Sequence, residues 1–395
     1  MLIVQKYGGM TLADPQKIKV AAQRICGLTK NGHQVVAIVS AMGQTTNQLL
    51  DLAAQVSGKP NRREMDMLLS TGERVSMSLL SMALHDLGCS AISLTGSQAG
   101  IFTDESHGNA FITDVKAFRV AEALQDGKVV VQAGFQGVSP TTKEITTLGR
   151  GGTDTTAMAM AIYLKADRCE ILKEVPAVFS ADPNIVAKAK PLRNLSYAQL
   201  AHMCFWGAKV LHYRSAELAA TNKIALYIGP AAKEGATGTT VSEKGDLMYE
   251  STQILSLNSH ERVALVQTAG DSTEKAFSNL DSFLEINQLA WPQLLTTAKA
   301  SGSVEFCLTG PAELMIGLEK CLSTDRQYKF QGGLSSVTAT CTGAASPEMT
   351  EKILGKMAEA KIEIHSLSMT SMGFSLLIAQ ENRKKALEAL HPLEN

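Results

Sequence analysis

Three times along this chain, a short run with strand character gives way to a polar, glycine-bearing loop and then to a helix. The apolar start Met1 to Val4 leads into Lys6-Tyr7-Gly8-Gly9-Met10-Thr11, and the β-branched run Val35 to Val39 leads into Ser40-Ala41-Met42-Gly43-Gln44-Thr45-Thr46-Asn47. Thr146 to Ala157 reads Thr-Thr-Leu-Gly-Arg-Gly-Gly-Thr-Asp-Thr-Thr-Ala ahead of an apolar helix. Repeated strand–loop–helix units build an open α/β sheet, in which ligands gather beyond the carboxyl ends of the strands. The pattern therefore predicts one shared, nucleotide-sized pocket.

The loop residues suit anions. Glycine lets a ligand approach the backbone N–H groups of a helix start, and Arg150 can hold a carboxylate with two parallel hydrogen bonds. Lys6 would stand over a phosphate cradle, and Asp154 would organise the polar groups around it. Taken singly, each residue also has an ordinary reading. Thr153 or Asp154 would cap a helix from Thr155 to Leu164, and Lys6 would be a solvated lysine beside a turn. The next helix has its own signals, with Asp14 as cap, Pro15 at the first helical position and Ile18, Ala21, Ala22, Ile25 and Leu28 on one face. Arg63 to His85 is helical in pattern but interrupted by Ser70-Thr71-Gly72, which marks a break or a close approach just before Glu73.

At 395 residues the chain exceeds one ordinary core and predicts two or three domains. Its 37 basic and 38 acidic residues nearly cancel, and no long basic run points to nucleic acid or an anionic membrane. Seven cysteines without a Cys-x-x-Cys pair suggest reduced, buried thiols. No apolar run approaches the roughly 20 residues that span a bilayer, and the start lacks a signal-peptide pattern, so a cytoplasmic enzyme is expected.

Val129 to Ala133 reads as a buried strand running into Gly134, and Lys223 to Ile228 as another before a loop from Gly229 to Gly238. Beyond Gly245 the texture changes. Strand-like Gln253 to Leu257 and Arg262 to Gln267 precede a helix from Ser272 to Asn287 and a strand at Ser303 to Leu308. Ser336 to Cys341, Met349 to Ala360, Ile362 to Ser366, Phe374 to Ala379 and Asn382 to His391 then trace β-α-β-β-α, the spacing of ferredoxin-like modules, and two copies are expected.

Six ordered segments carry a resemblance to the aspartate kinases: Lys6 to Gly9, Val39 to Gly43, Leu69 to Glu73, Ser93 to Asp104, Gly134 to Gly137 and 146–157, with Gly207 to His212 extending it. The likeness is dense over about residues 1 to 240. It implies an α/β fold, an amino-acid-kinase three-layer sandwich with a mainly parallel sheet at 1–245, followed at 246–395 by two α+β ferredoxin-like ACT modules. In the ACT pair the opening strand of the region is paired into the second module. The implied reaction moves the ATP γ-phosphoryl group, with Mg²⁺, to the side chain of L-aspartate, as the first step towards lysine, threonine and methionine. The resemblance makes Lys6, Asp154 and Lys209 catalytic, and gives Ser40, Thr46, Glu73, Arg150 and Thr153 to the amino acid. Lys6, Tyr7, Gly8, Gly9, Lys173, Glu174, Phe179, Asn184, Lys209 and Val210 fall to the nucleotide. It further implies a homodimer or larger homo-oligomer and an amino-acid effector at the ACT region.

One segment departs from the family. Residues 173–184 read Lys-Glu-Val-Pro-Ala-Val-Phe-Ser-Ala-Asp-Pro-Asn where the family has Thr-Asp-Val-Asp-Gly-Val-Tyr-Thr-Ala-Asp-Pro-Arg. Pro176 lacks an N–H, Ala177 is strained if it must adopt a glycine's positive φ, and Asn184 lacks a guanidinium, so an altered nucleotide side is expected. The Pro-Gly turn before each ACT helix is also replaced, by Ser272-Thr273 and Ser346-Pro347. Two alternatives stay open: an enzyme of this superfold with another acceptor, and a regulatory homologue that has lost its nucleotide site.

Overall fold

The structure is a computed structural model of the chain and describes residues 1–230, 238–243, 245, 253–270, 272–287, 289–300, 302–343 and 346–393. The chain divides into two compact units. The first comprises residues 1–178, 191–204 and 209–247, and the second residues 179–190, 205–208 and 248–395. Two short excursions from before residue 245 thus belong to the second unit, which a single cut after 245 does not capture. The interior of the loop expected between Gly229 and Gly238 lies outside the described residues.

In the first unit the chain runs β1 (Leu2–Tyr7), α1 (Pro15–Lys30), β2 (Gln34–Val39), α2 (Thr45–Val56), α3 (Arg62–Leu69), α4 (Thr71–Asp86) and β3 (Ala91–Leu94). It continues through β4 (Ile101–Thr103), β5 (Ile112–Val115), α5 (Phe118–Gln125), β6 (Val129–Ala133), β7 (Gln136–Val138), β8 (Ile145–Thr147), α6 (Gly152–Tyr163) and β9 (Arg168–Lys173). After the short strands β10 (Val178–Phe179) and β11 (Pro191–Leu192) come β12 (Asn194–Ser196), α7 (Tyr197–Phe205), α8 (Tyr213–Asn222), β13 (Leu226–Pro230) and β14 (Thr239–Ser242).

The main sheet has the order β12-β14-β13-β9-β1-β2-β6-β3, and only the β13–β14 pair is antiparallel. The chain builds outward from β1 to β2 and returns to lay β9 on the other side of β1, so strand order reverses there. That reversal is where an open α/β sheet leaves a crevice. Strand alternation decides what enters it. Ile3 and Tyr7 join Ile18, Ile25, Leu80 and Leu84 in the core beneath α1 and α4, whereas Lys6 turns to the opposite face, which α6 covers. A smaller sheet, β5-β4-β7-β8, delivers Thr147 to the loop before α6.

Asp14 caps α1 as its sequence suggests, accepting from Lys17 N at 2.9 Å, with Pro15 at the first helical position. The expected break falls at Ser70, between α3 and α4. Just past it, Gly72 allows a close approach to the loop after β2: a Cβ there would stand 2.7 Å from the Ala41 Cβ. The expectation of seven free thiols is corrected. Cys26 on α1 and Cys89 ahead of β3, with Cα atoms 6.0 Å apart, form a disulfide, because the helix packing seats them at bridging distance. The other five are free, and all but the half-buried Cys321 are buried.

The second unit carries β15 (Ile254–Ala269), α9 (Thr273–Ile286), β16 (Gln293–Ala300), β17 (Ser303–Thr309), α10 (Ala312–Leu322), β18 (Tyr328–Cys341), α11 (Pro347–Glu359), β19 (Ile364–Thr370), β20 (Gly373–Ala379) and α12 (Arg383–Leu390). All its strands lie in one antiparallel sheet of order β16-β17-β15-β18-β20-β19, an arrangement consistent with paired ACT-type modules. Where two strands were expected between 253 and 267, one strand runs through with a register shift between His260 and Val263. Its opening half, Ile254 to His260, pairs with Cys341 to Ser336 in the second module, and its closing half joins β17 in the first. Ser272 and Ser346, which replace the family's Pro-Gly turns, cap α9 and α11 by accepting from Lys275 N and Met349 N. Among the described residues no helix is long and apolar enough to cross a membrane.

Candidate functional site

Lys6 leaves β1 pointing at the start of α6, where its Nζ lies 2.7 Å from Asp154 Oδ1. Both are nearly inaccessible, at 8% and 6% exposure. Taking two such charges out of water costs several kcal/mol each, which their attraction does not fully return, so the pair is weak evidence for stability and stronger evidence for a task. Burial pushes the Asp154 carboxyl up, yet Lys6, then Lys173 and the backbone N–H of His212, outweigh it and hold the group below the usual carboxylate range. Burial and the positive charge of Lys6 in turn lower the Lys173 ammonium, against the opposing pull of Asp154. Lys6 and Lys173 lie at the carboxyl ends of the adjacent strands β1 and β9, so two lysines and one carboxylate converge where the strand order reverses.

The expected capping role of Asp154 or Thr153 is corrected. Helix α6 begins at Gly152, its cap is Gly151 at φ 77°, and both side chains lie within the first turn and are free for other work. A Cβ on Gly151 would collide with the His212 Cβ at 2.3 Å, so the left-handed turn and the close approach both require glycine. The turn lies next to Lys6 at a helix start, the kind of place that favours anions, with Gly152 N and Asp154 N already donating to Gly149 O and Gly151 O at 3.0 and 2.9 Å.

Gly9 brings the ends of β1 and β2 together: its own Cβ would fall 2.7 Å from the Ala41 carbonyl oxygen, and its O accepts from Gly43 N at 3.0 Å. Gly8 lies under the Lys6 ammonium, 3.7 Å from where a Cβ would stand. Gly9→Ala should therefore force the two loops apart and destabilise the fold by about 1–3 kcal/mol, the usual cost of overpacking. A thermal melt checks this, and an unchanged midpoint would refute the close approach.

From β2, Ser40 Oγ lies 3.1 Å from Thr153 Oγ1. Glu73, in the first turn of α4 and 4% exposed, accepts from Ala41 N at 3.0 Å through Oε1, while its buried Oε2 has no hydrogen-bond partner among the described residues. Burial, against the backbone donors, pushes this carboxyl up to about 7. A buried carboxylate with one oxygen uncommitted is poised for a cation. Thr46, half-buried in the first turn of α2, stands on the loop that supplies Ala41. Arg150 is exposed on the loop before α6, and its charge helps lower the His212 imidazole after burial and Arg214 have done so.

Other expected residues go elsewhere. Tyr7 is corrected: its ring is fully buried beneath α1 and α4 and its hydroxyl donates to Gln5 Oε1, because strand alternation sends it to the face opposite Lys6. Glu174 is exposed and pairs with Lys17 of α1. Lys173 donates to the Val210 and Lys209 carbonyls, which ties Val210 to the lysine end by its backbone, while the Lys209 side chain is exposed. Phe179 and Asn184 belong to the second unit, where the Asn184 amide groups bond Asp182 Oδ1. The strain expected of Ala177 is absent: it is buried and is not among the residues with positive φ.

Sequence reasoning missed His212, Asp66 and Phe135. Phe135 holds a φ of 67° directly after the Gly134 turn, where its carbonyl accepts from Leu148 N at 2.8 Å. His212 lay inside a recognised motif, but its contact with Gly151 spans 61 positions, which no local pattern announces.

Residues 1–230 match the model of the amino acid kinase family. Aspartokinase 2 of Bacillus subtilis is 36% identical to the chain, over 99% of it and 97% of that protein. The aspartokinase of Mycolicibacterium smegmatis is 38% identical, over 99% and 95%. Among solved structures, E. coli aspartokinase III in complex with aspartate and ADP superposes with a TM-score of 0.82 at 20% identity, covering 100% of the chain and 99% of that one, a likeness of fold. Aspartate kinase from Synechocystis is 30% identical with a TM-score of 0.56, covering 99% of the chain and 69% of the other.

Proposed function

The chain belongs to the amino acid kinase family and, within it, to the aspartokinases, and from that premise we propose that the crevice at the ends of β1, β2 and β9 carries out the kinase reaction. The γ-phosphorus of ATP accepts an oxygen of the L-aspartate side chain, its bond to the β-phosphate bridge breaks, and ADP and 4-phospho-L-aspartate leave. The observation that carries this reading is the buried Lys6–Asp154 pair beside Lys173 at the start of α6.

No general base is required. The acceptor carboxylate, with an ordinary pKa of about 3.9, is already ionised at neutral pH, so the barrier is repulsion between two anions. Lys6 holds the transferring oxygens and stabilises the charge that spreads over them; Asp154 keeps its ammonium aimed. Gly8, Gly9 and the first turn of α6 present backbone donors to the phosphates. Lys173 and Lys209 supply positive charge on the nucleotide side. Arg150 grips the α-carboxylate of aspartate, Glu73 receives its ammonium, and Ser40, Thr46 and Thr153 line the space between, so both ends of the acceptor are read.

Among the described residues no group of three His, Cys, Asp or Glu could cage a metal ion, and Asp154 is a carboxylate beside Lys6 at the phosphate end. That donor set fits Mg²⁺ brought in on the triphosphate, with Asp154 helping to hold it, since this ion keeps its waters and takes one or two carboxylates plus phosphate oxygens. When bound, such an ion would supply neutralising charge to the phosphates. The paired modules of the second unit are the place for an amino-acid effector and for self-association, and the product feeds lysine, threonine and methionine synthesis.

The test is direct. Purified protein with Mg-ATP and hydroxylamine should give hydroxamate with aspartate, and none with glutamate or without acceptor. Hydroxamate from glutamate alone would select a different acceptor, and absence of nucleotide binding by calorimetry would overturn the kinase reading.

Glu73 adds a pH signature. Its carboxyl titrates at about 7, so from pH 8 to 6 it loses the charge that receives an ammonium. Aspartate kcat/KM should fall by up to about tenfold per unit below that point, and Glu73→Gln should give a lower, flat profile from pH 6 to 8. Linkage has the opposite sign: a folded-state pKa above the unfolded value of about 4.3 means the native state holds the extra proton, so stability falls as pH rises from about 4 through 7. Glu73→Gln should thus melt higher than the parent at pH 8 while using aspartate worse. A melt lowered at pH 8 would contradict the assignment.

A further inference from the structure

Asp66 is 1% exposed on α3, and its carboxylate joins that helix to the two segments around the turn before α6. Its Oδ2 lies 2.7 Å from His107 Nδ1, both oxygens accept from Gly108 N at 3.1 and 3.2 Å, and Oδ1 also accepts from the Thr147 hydroxyl. Three segments far apart in sequence therefore share one carboxylate.

Thr147 ends β8, two residues before the Gly149-Arg150-Gly151 turn. The 104–111 loop packs on that turn as well: a Cβ on Gly149 would meet Asn109 Oδ1 at 2.7 Å, and Ala110 N donates to Thr147 O at 2.9 Å. On the other side, the link runs through the backbone of α3: the main-chain carbonyl of Asp66 accepts from Ser70 N at 3.0 Å, at the break after which α4 presents Glu73. Gln136 Nε2 locks the same break by donating to Ser70 O at 2.8 Å. Among the described residues the partners of the Asp66 carboxylate include neither Lys6 nor Lys173, although the turn they support continues into Gly151 and Gly152 at the start of α6.

We propose that Asp66, through His107, Gly108 and Thr147, is a positioning residue that fixes the spacing between Glu73 and Arg150 and so sets which acceptor length is accepted. This rests on the reading above that Glu73 and Arg150 hold the two ends of the amino acid. An apolar residue at 66 would fill the same space without desolvating a charge, so the carboxylate is costly for packing alone. The carboxylate ties α3, whose backbone runs through the Ser70 break to Glu73, to the two segments that support the Arg150 turn.

The test uses Asp66→Asn, which keeps the shape and loses the charge, and Thr147→Val, which deletes one donor. For Asp66→Asn the aspartate KM should rise about tenfold, the equivalent of one charge-assisted hydrogen bond. ATP KM should stay within about twofold and kcat within about threefold. The preference for aspartate over glutamate should narrow, and Thr147→Val should follow in the same direction, with the double variant short of the product of the two. An aspartate KM unchanged while the melting temperature falls would reduce Asp66 to a structural anchor. Equal rises in both KM values would also overturn the proposal. Amide exchange separates this from the functional reading, because it needs no turnover: Asp66→Asn should speed exchange at 104–111 and 148–151 and at 70–74, and exchange confined to one side would defeat the shared clamp even if aspartate were not the acceptor.

Discussion

Lys6→Met should lower kcat by about a thousandfold, the size seen when one preorganised charge stabiliser is lost from a transition state, and far more than the roughly tenfold rise in aspartate KM expected at saturating ATP. The reasoning starts from burial. Lys6 and Asp154 sit 2.7 Å apart, and the field of Lys6 is the largest influence holding the Asp154 carboxyl below its usual range against burial. Removing the ammonium leaves that carboxyl buried with less compensation, so its pKa should climb and stability should fall as well. The two effects are separable. Lys6→Met/Asp154→Asn removes both charges and should recover most of the lost melting temperature and none of the rate. Recovery of rate in the double variant would mean that Lys6 merely neutralises Asp154.

Arg150→Ala should act on the other term, raising aspartate KM by about 30- to 100-fold with kcat changed far less. A bidentate guanidinium–carboxylate contact contributes roughly 2–3 kcal/mol, and one such group held equally in ground and transition states appears in KM. Arg150 is exposed on a turn pinned by glycines, so its loss should leave the melting temperature nearly untouched. Arg150→Lys should recover only part of the loss, since a point charge cannot reproduce the fork. A parallel fall in kcat in Arg150→Ala, or a rise in ATP KM of the same size, would remove Arg150 from the acceptor end.

What the sequence made legible follows from locality. Glycine pairs after apolar runs announced the strand ends, and Gly9, Gly72 and Gly151 each stand where a Cβ would collide. The interruption at 70–72 correctly marked the helix break ahead of Glu73. Tyr7 misled because a motif carries neighbours along with its working residue, whereas alternation in β1 sends Lys6 and Tyr7 to opposite faces. Asp154 has the look of a cap in sequence because helix starts favour aspartate, but Gly151 takes that position and frees it. Asp66, His107 and Thr147 were silent because their meeting depends on packing across 41 and 81 positions. The Cys26–Cys89 disulfide was hidden for the same reason, with a separation of 63. In the second unit the β-α-β-β-α spacing survived, while the continuity of β15 through both modules had no local signal to separate it from two shorter strands.

The central claim is that Lys6 lets a triphosphate and an amino-acid carboxylate occupy one crevice. Aspartate affinity measured by calorimetry, with and without a saturating non-hydrolysable Mg-ATP analogue, tests it most directly in the parent protein and in Lys6→Met. The parent should bind aspartate about equally well or better with nucleotide present, and in Lys6→Met the nucleotide should weaken aspartate by about tenfold or more as uncompensated anions meet. Identical aspartate affinities in all four titrations would place the two ligands in independent sites and contradict the account.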